Sequence, residues 1–95
     1  MAFQIKFTAY SSHSAKKLNP DAKKTTRMAL KELSENPFIG KELQAELSGF
    51  WTYNFLRYRI IFKINTQGKI VVVWGIGHRR DIYESFSEYF LRERK

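Results

Sequence analysis

Residues 50–76 read FWTYNFLRYRIIFKINTQGKIVVVWGI, and this stretch decides the fold. Apolar and polar residues alternate through Trp51–Phe55 and again through Tyr58–Ile64, which is the period of a half-buried β-strand. A tight reversal joins these two strands. A turn at Thr66-Gln67-Gly68 precedes the continuous apolar run Ile70–Trp74, which is typical of a central strand covered on both faces. The stretch therefore predicts a three-stranded antiparallel meander.

The residues before the meander predict one strand and two short helices. Phe3–Phe7 alternates with period two and forms an opening strand. A first helix is expected over about Ser12–Leu18, capped near Ser11, and Asn19-Pro20 both ends it and starts the next. The second helix ends before Asn36-Pro37. One face of it carries a stripe at helical spacing, formed by Ala22, Thr26, Ala29 and Leu33.

The residues after the meander predict a closing helix. Asp81, with Glu84 three residues later, is a helix-start signal, and apolar residues recur behind it at Ile82, Phe86 and Phe90. The predicted fold class is α+β: an N-terminal strand, a helical hairpin, a three-stranded antiparallel meander in one sheet, and a closing C-terminal helix. We expect the helices to collect on one face of that sheet. With 95 residues, the chain 1–95 has room for a single domain and one core.

The composition favours a polyanionic partner. Seventeen Lys and Arg against nine Asp and Glu give a formal net charge of +8, which suits nucleic acid and suits an acidic protein equally well. The plainer interpretation is that basic side chains only solubilise the surface. Without cysteine and with two histidines, a metal site is not expected, and no cofactor is predicted. Alternation at the N-terminus and short apolar runs predict a soluble cytoplasmic protein with no membrane partner.

The candidate site residues are basic and lie in two places. Arg59 interrupts an apolar strand, and Lys63 lies on the same face of that strand, which makes the face cationic. His78-Arg79-Arg80 follows the end of the central strand. Because these strands are neighbours, Arg59 and Arg79 are expected to approach one surface, where a phosphate would relieve their repulsion. Arg59 is also explicable as an edge charge that discourages aggregation.

This arrangement suits cleavage of RNA without a metal. The reaction needs the 2′-hydroxyl deprotonated, charge on the phosphate oxygens stabilised and the leaving 5′-oxygen protonated. Arginines supply the second step, while His78 and Tyr83 are the proton-transfer candidates. A structural histidine and a core tyrosine are the plainer alternatives for these two. Further RNA contacts are predicted at Arg57, Lys63, Arg80, Trp51, Tyr53 and Asn54.

Four motifs carry a family resemblance. They are Glu35-Asn36-Pro37, Gly40-Lys41-x-Leu43, Tyr58-Arg59-Ile60-Ile61-Phe62 and Gly77-His78-Arg79-Arg80-Asp81-Ile82-Tyr83. Together they resemble the RelE/ParE superfamily of toxins from toxin–antitoxin modules, and most closely its RelE branch. The resemblance implies a ribosome-dependent endoribonuclease that cuts mRNA in the decoding site and is restrained by a cognate acidic antitoxin.

The resemblance also implies roles for single residues. Arg59 matches the strand arginine that contacts the scissile phosphate, Arg79 the second phosphate-stabilising arginine and Tyr83 the C-terminal catalytic tyrosine. The departure is on the preceding strand, where the best-known member has lysines and this chain has Thr52 and Asn54. Two alternatives therefore stay open: a catalytically impaired toxin homologue that binds only RNA or antitoxin, and a gyrase inhibitor of the ParE type.

Overall fold

The computed structural model describes residues 2–93, except the side chains of Tyr83 and Glu93. Five strands and three α-helices follow one another along this part of the chain, with two single 3₁₀ turns between the helical hairpin and the meander. The elements in chain order are β1 (Gln4–Phe7), α1 (Ala9–Lys16), α2 (Pro20–Glu35), β2 (Lys41–Glu42), β3 (Trp51–Phe55), β4 (Tyr58–Asn65), β5 (Ile70–His78) and α3 (Ile82–Glu93).

The strands form one sheet in the order β1-β5-β4-β3-β2. β3, β4 and β5 are antiparallel neighbours, which confirms the predicted meander. β1 pairs in parallel with β5, so β5 is a central strand, as its continuous apolar run predicts. The two-residue β2 adds an edge beside β3 and is too short for any period to reveal it. Among the described residues, no helix combines the length and the apolar character that crossing a bilayer requires.

The two helices of the hairpin differ in how well local sequence predicts them. α2 has the predicted bounds, because Asn19 Oδ1 accepts the Ala22 N–H at 2.8 Å and Pro20 occupies the first turn. α1 begins earlier than predicted, since its cap is Thr8, whose Oγ1 accepts the Ser11 N–H at 3.2 Å. Ser11 is fully buried instead, and its hydroxyl donates to the Val73 carbonyl at 2.6 Å.

The expectation that all helices share one face of the sheet is wrong. α1 and α2 cover one face, here called the hairpin face, where Leu33 packs with Ile60 and Phe62. α3 covers the opposite face, here called the α3 face, where Ile82 and Phe86 pack with Ile61. Because Ile60, Ile61 and Phe62 are all fully buried, β4 presents apolar side chains to both layers.

A β-bulge in β5 sets which side chains reach each face. Ile61 pairs with Gly75 and Phe62 with Val73, so Trp74 is an extra residue. Trp74 packs on the α3 face against Phe50 and Phe86, and a Cβ on Gly75 would also meet Phe86. Two consecutive residues therefore lie toward α3, and the alternation of every later residue in β5 is inverted.

Candidate functional site

A cleft of about 760 Å³ opens on the α3 face beside the sheet edge. Its floor is formed by β3 and β4, and its wall by β2 and the residues that flank it. This volume is within the range of small-ligand sites. The lining residues are Ile39, Gly40, Lys41, Glu42, Leu43, Gln44, Ala45, Thr52, Tyr53, Asn54 and Arg59.

Arg59 is held in place within this cleft. It pairs with Asn54 across β3 and β4, and its Nε donates to Asn54 Oδ1 at 2.7 Å. The side chain is half-buried. Because Asn54 is also the cross-strand partner of Arg59, this hydrogen bond favours one orientation of the guanidinium in the cleft and lowers the cost of ordering it on a ligand.

Thr52 and Lys41 add polar groups to the same cleft. They are cross-strand partners, so their side chains lie on the same face of the sheet. Thr52 is 8% exposed, and its buried Oγ1 has no hydrogen-bond partner in the structure. A buried hydroxyl without a partner is a polar group that the fold leaves unsatisfied beside the cleft. The sequence prediction missed Lys41 as a site residue, and its only signal was the Gly40-Lys41-x-Leu43 motif.

Arg57 and Arg79 lie next to each other at one end of the sheet, beside the start of β4, where Arg59 is the second residue. The Arg79 N–H donates to the Arg57 carbonyl at 2.8 Å, and Gly77, two residues before Arg79, pairs with Arg59. Arg57, Arg79 and Arg80 are all exposed. The structure thus brings the backbones of the predicted arginines together at one end of β4 and β5.

Lys63 lies on the α3 face, outside the lining of the cleft. Its Nζ is 4.5 Å from the centroid of the Phe50 ring and 5.6 Å from that of Trp74. A cation over two aromatic faces stabilises their packing. The face that holds Arg59 and Lys63 is therefore cationic at two separate points, of which only Arg59 reaches the cleft.

His78 lies on the hairpin face, opposite Arg59. It pairs with Tyr58, and the two rings are 6.0 Å apart with their planes nearly perpendicular. The bulge at Trp74 is the reason, because regular alternation from Val73 would have turned His78 toward the α3 face. The structure therefore does not bring His78 and Arg59 together.

Two of the predicted stacking residues also belong to the hairpin face. Trp51 meets Phe38 edge to face at 5.6 Å. The Tyr53 hydroxyl donates to Glu32 Oε1 at 3.1 Å, and burial, followed by this bond and the charge of Glu32, raises the pKa of Tyr53 above 10.0. Both rings are half-buried against the core, which leaves less of their surface to stack on a base.

The predicted tyrosine of the site is only partly described. The backbone of Tyr83 is in the first turn of α3, while its side chain lies outside the described part of the structure. Within residues 2–93, no group of three or more histidine and carboxylate side chains is placed to share a metal ion.

Comparisons with known proteins agree on one family. The family model described as "ParE toxin of type II toxin-antitoxin system, parDE" matches residues 5–83. Toxin RelG of Mycobacterium tuberculosis is 31% identical over 85 residues, which cover 87% of this chain and 98% of that protein.

Two solved structures are similar along most of their length. A chain of the M. tuberculosis RelBE2 toxin–antitoxin complex has a TM-score of 0.78 and 28% identity, over 85% of this chain and 95% of that one. The isolated E. coli RelE toxin has a TM-score of 0.70 and 17% identity, over 81% and 84% of the two chains, and shares the fold. The chain described here thus belongs to the ParE toxin family of type II toxin–antitoxin systems, within the RelE/ParE superfamily.

Proposed function

We propose that this toxin cuts messenger RNA on the ribosome as a metal-independent endoribonuclease, and that Arg59 holds the phosphate under attack. The observation that carries the proposal is the position of Arg59, which is half-buried in a cleft and fixed by Asn54 through a 2.7 Å hydrogen bond. Planar guanidinium groups match the geometry of phosphate oxygens. The cytoplasm, where ribosomes are, is the proposed place of action.

The proposed reaction is an in-line transfer within the RNA strand. The 2′-oxygen loses its proton and attacks the adjacent phosphorus, the bond from phosphorus to the 5′-oxygen breaks, and that oxygen takes up a proton. Arg59 and Arg79 would stabilise the negative charge that grows on the phosphate oxygens. We assign proton transfer to Tyr83 on the family resemblance, in preference to His78, whose ring packs against Tyr58 on the other face.

Lys41 and Thr52 would complete the binding of the RNA backbone. The best-known relative carries lysines on the strand where this chain has Thr52 and Asn54. Lys41 is the cross-strand partner of Thr52 and lines the same cleft, so it supplies a positive charge on the side of the site where the relative has lysines. Rotation of the Thr52 side chain would bring its unpaired hydroxyl to a sugar or phosphate oxygen.

Cleavage of mRNA in the A site of programmed ribosomes tests this proposal. We expect Arg59→Ala to lower the cleavage rate about 10²- to 10³-fold, since it removes a donor from the charged transition state. Arg59→Lys keeps the charge but loses the planar fork and should be intermediate. Arg27→Ala is the matched control, because Arg27 is an exposed arginine on α2. Equal cleavage by the Arg59→Ala and Arg27→Ala proteins would contradict the proposal.

A second candidate is a toxin homologue that binds without cutting. The observation in its favour is that Asn54, in a position where the best-known relative has a lysine, is an uncharged amide bonded to Arg59. Tight binding to programmed ribosomes with an intact message would establish this alternative. Loss of DNA supercoiling in a gyrase assay would instead establish the ParE type of activity.

We also propose an acidic antitoxin as the partner. The net charge of +8 favours an acidic segment, and the M. tuberculosis RelBE2 structure is a toxin–antitoxin complex. Co-purification with a small acidic protein encoded beside this one, and inhibition of cleavage by it, would test the pairing. An adjacent product that neither binds nor inhibits would contradict it.

A further inference from the structure

The tip of the β3–β4 hairpin holds an unusual residue. Phe55 pairs with Tyr58, so Leu56 and Arg57 form a two-residue turn. Such turns need a positive φ at their first position, which favours glycine, yet this position is Leu56 with a φ of 53°. Its side chain is 72% exposed and therefore gains little from packing.

The positive φ alone does not single out this residue. Lys69, in the β4–β5 turn, also has a φ of 53°, and its side chain is an exposed cation that water solvates well. At Leu56 the same backbone strain presents an apolar side chain to water. Backbone strain at a residue whose side chain gains little from packing is typical of binding sites, which points to a binding role for Leu56.

The surroundings of Leu56 are cationic and firmly held. Arg57 follows it directly, and the Arg79 N–H bonded to the Arg57 carbonyl ties the loop after β5 to the tip. Arg80 and Arg79 are both exposed, and Asp81 is the acidic residue next to them in sequence. Beneath the tip, the rings of Phe55 and Tyr58 stack at 5.9 Å. The tip is thus an apolar point on an aromatic base, with the backbones of two exposed arginines joined beside it.

We propose that Leu56 is a wedge that enters between two neighbouring bases of the message, with Arg57 on a flanking phosphate and Arg79 on the phosphate under attack. Proteins that part a base step insert an apolar side chain between apolar base faces and hold the backbone with cations. Leu56 precedes Arg59 by three residues across the turn, which limits the distance between their Cα atoms to at most about 10 Å, so both can reach one RNA strand within a few nucleotides. The inference rests on the proposed function, because it takes the RNA at Arg59 as its ligand.

Unstacking of the message can be measured apart from cleavage. Ribosomes are programmed with messages that carry 2′-deoxy sugars at the three A-site nucleotides, which removes the attacking hydroxyl, and 2-aminopurine at one position at a time. The fluorescence of 2-aminopurine rises when its neighbours no longer stack on it. We expect the wild-type protein to raise the fluorescence at one position in or beside the A-site codon.

Three variants separate the wedge from the fold. Leu56→Ala should abolish the fluorescence rise and weaken binding about tenfold, which corresponds to about 1.4 kcal/mol. Leu56→Gly should do the same while its melting temperature stays equal or rises, since glycine accepts the positive φ. Lys69→Gly is the matched control with the same backbone change in the other turn, and it should bind and unstack like the wild type.

The outcomes also separate the wedge from the proposed function. The wedge would be overturned if the Leu56→Ala protein showed the same fluorescence rise and affinity as the wild type. It would also be overturned if the wild-type protein raised the fluorescence at no message position, even if Leu56→Ala bound more weakly. If natural messages stay uncut while the Leu56-dependent rise is present, the nuclease proposal fails and the wedge stands. If messages are cut and Leu56→Ala changes nothing, the nuclease proposal stands and the wedge fails.

Discussion

On the hairpin face of the sheet, β3, β4 and β5 are all packed in the core beneath α1 and α2. On the α3 face, α3 covers only β4 and β5. On the hairpin face, Trp51, Tyr53 and Phe55 of β3 all pack against the core beneath α1 and α2. On the α3 face, Thr52 and Asn54 of the same strand border the open cleft. β3 is therefore a core strand on one face and a site strand on the other.

The difference between the faces explains how so short a chain combines stability with a site. Polar groups placed on a strand are held as rigidly as the core residues that alternate with them. Thr52 and Asn54 need no helix above them because Trp51 and Tyr53, on the opposite face, already fix the strand. We expect substitutions on the hairpin face to act on stability and substitutions in the cleft to act on RNA.

Phe62→Ala should give the largest effect and should act through stability alone. Phe62 is fully buried on the hairpin face, and removing its ring should lower the free energy of unfolding by about 3–5 kcal/mol. Urea denaturation measures the loss. The neighbouring Lys63→Ala, on the α3 face, is the matched comparison and should cost about 1 kcal/mol or less. Equal losses at the two positions would contradict the division between the faces.

Lys41→Ala should lower the rate of RNA cleavage and leave the stability of the fold unchanged. The side chain is exposed in the cleft beside Thr52, so its removal should slow cleavage on programmed ribosomes about tenfold, a barrier change of about 1.4 kcal/mol. Lys41→Arg should keep most of the rate. Lys24→Ala removes an exposed lysine from α2 and controls for net charge. A similar slowing in both alanine variants would assign the effect to charge in general.

Local chemistry is what made parts of this fold predictable. α2 follows from Asn19, Pro20 and the Asn36-Pro37 stop, all of which act within a few residues. The start of α1 does not follow in this way, because Ser11 is buried by a bond to the Val73 carbonyl, 62 residues away. The apolar run Ile70–Trp74 did predict a strand covered on both faces, but it does not mark which element covers each face, so the position of α3 opposite the hairpin was out of reach.

In the candidate site, too, the sequence predicts the face of a residue only where the alternation of its strand is regular. The face of Arg59 follows from the alternation of β4, and the structure adds Asn54 as its partner. The face of His78 depends on the bulge at Trp74, which a continuous apolar sequence does not mark. Lys41 could not be predicted as a site residue for a related reason. β2 has only two residues, and the lysine reaches the cleft only because it pairs with Thr52 of β3.

The smallest expected effect is a pH dependence on the hairpin face, tested with Tyr53→Phe. Burial and the bond to Glu32 raise the pKa of Tyr53 in the folded protein above 10.0. As the pH rises past 10.0, the unfolded chain loses this proton first, so the stabilising contribution is complete below that pH and is lost as the pH passes through the raised pKa. Tyr53→Phe has no such proton and should lose stability less steeply.

Urea denaturation of the two proteins on either side of pH 10.0 measures this difference. The matched control is Tyr58→Phe, which removes a hydroxyl from the same face where the described residues show no bond to a carboxylate. The Tyr58→Phe protein measures how much of any change in slope comes from the loss of a hydroxyl on this face and not from the bond to Glu32. Parallel curves for wild type and Tyr53→Phe would mean that the Tyr53–Glu32 bond does not hold α2 to β3 in solution, and that the edge of the hairpin face is more open than the core behind it.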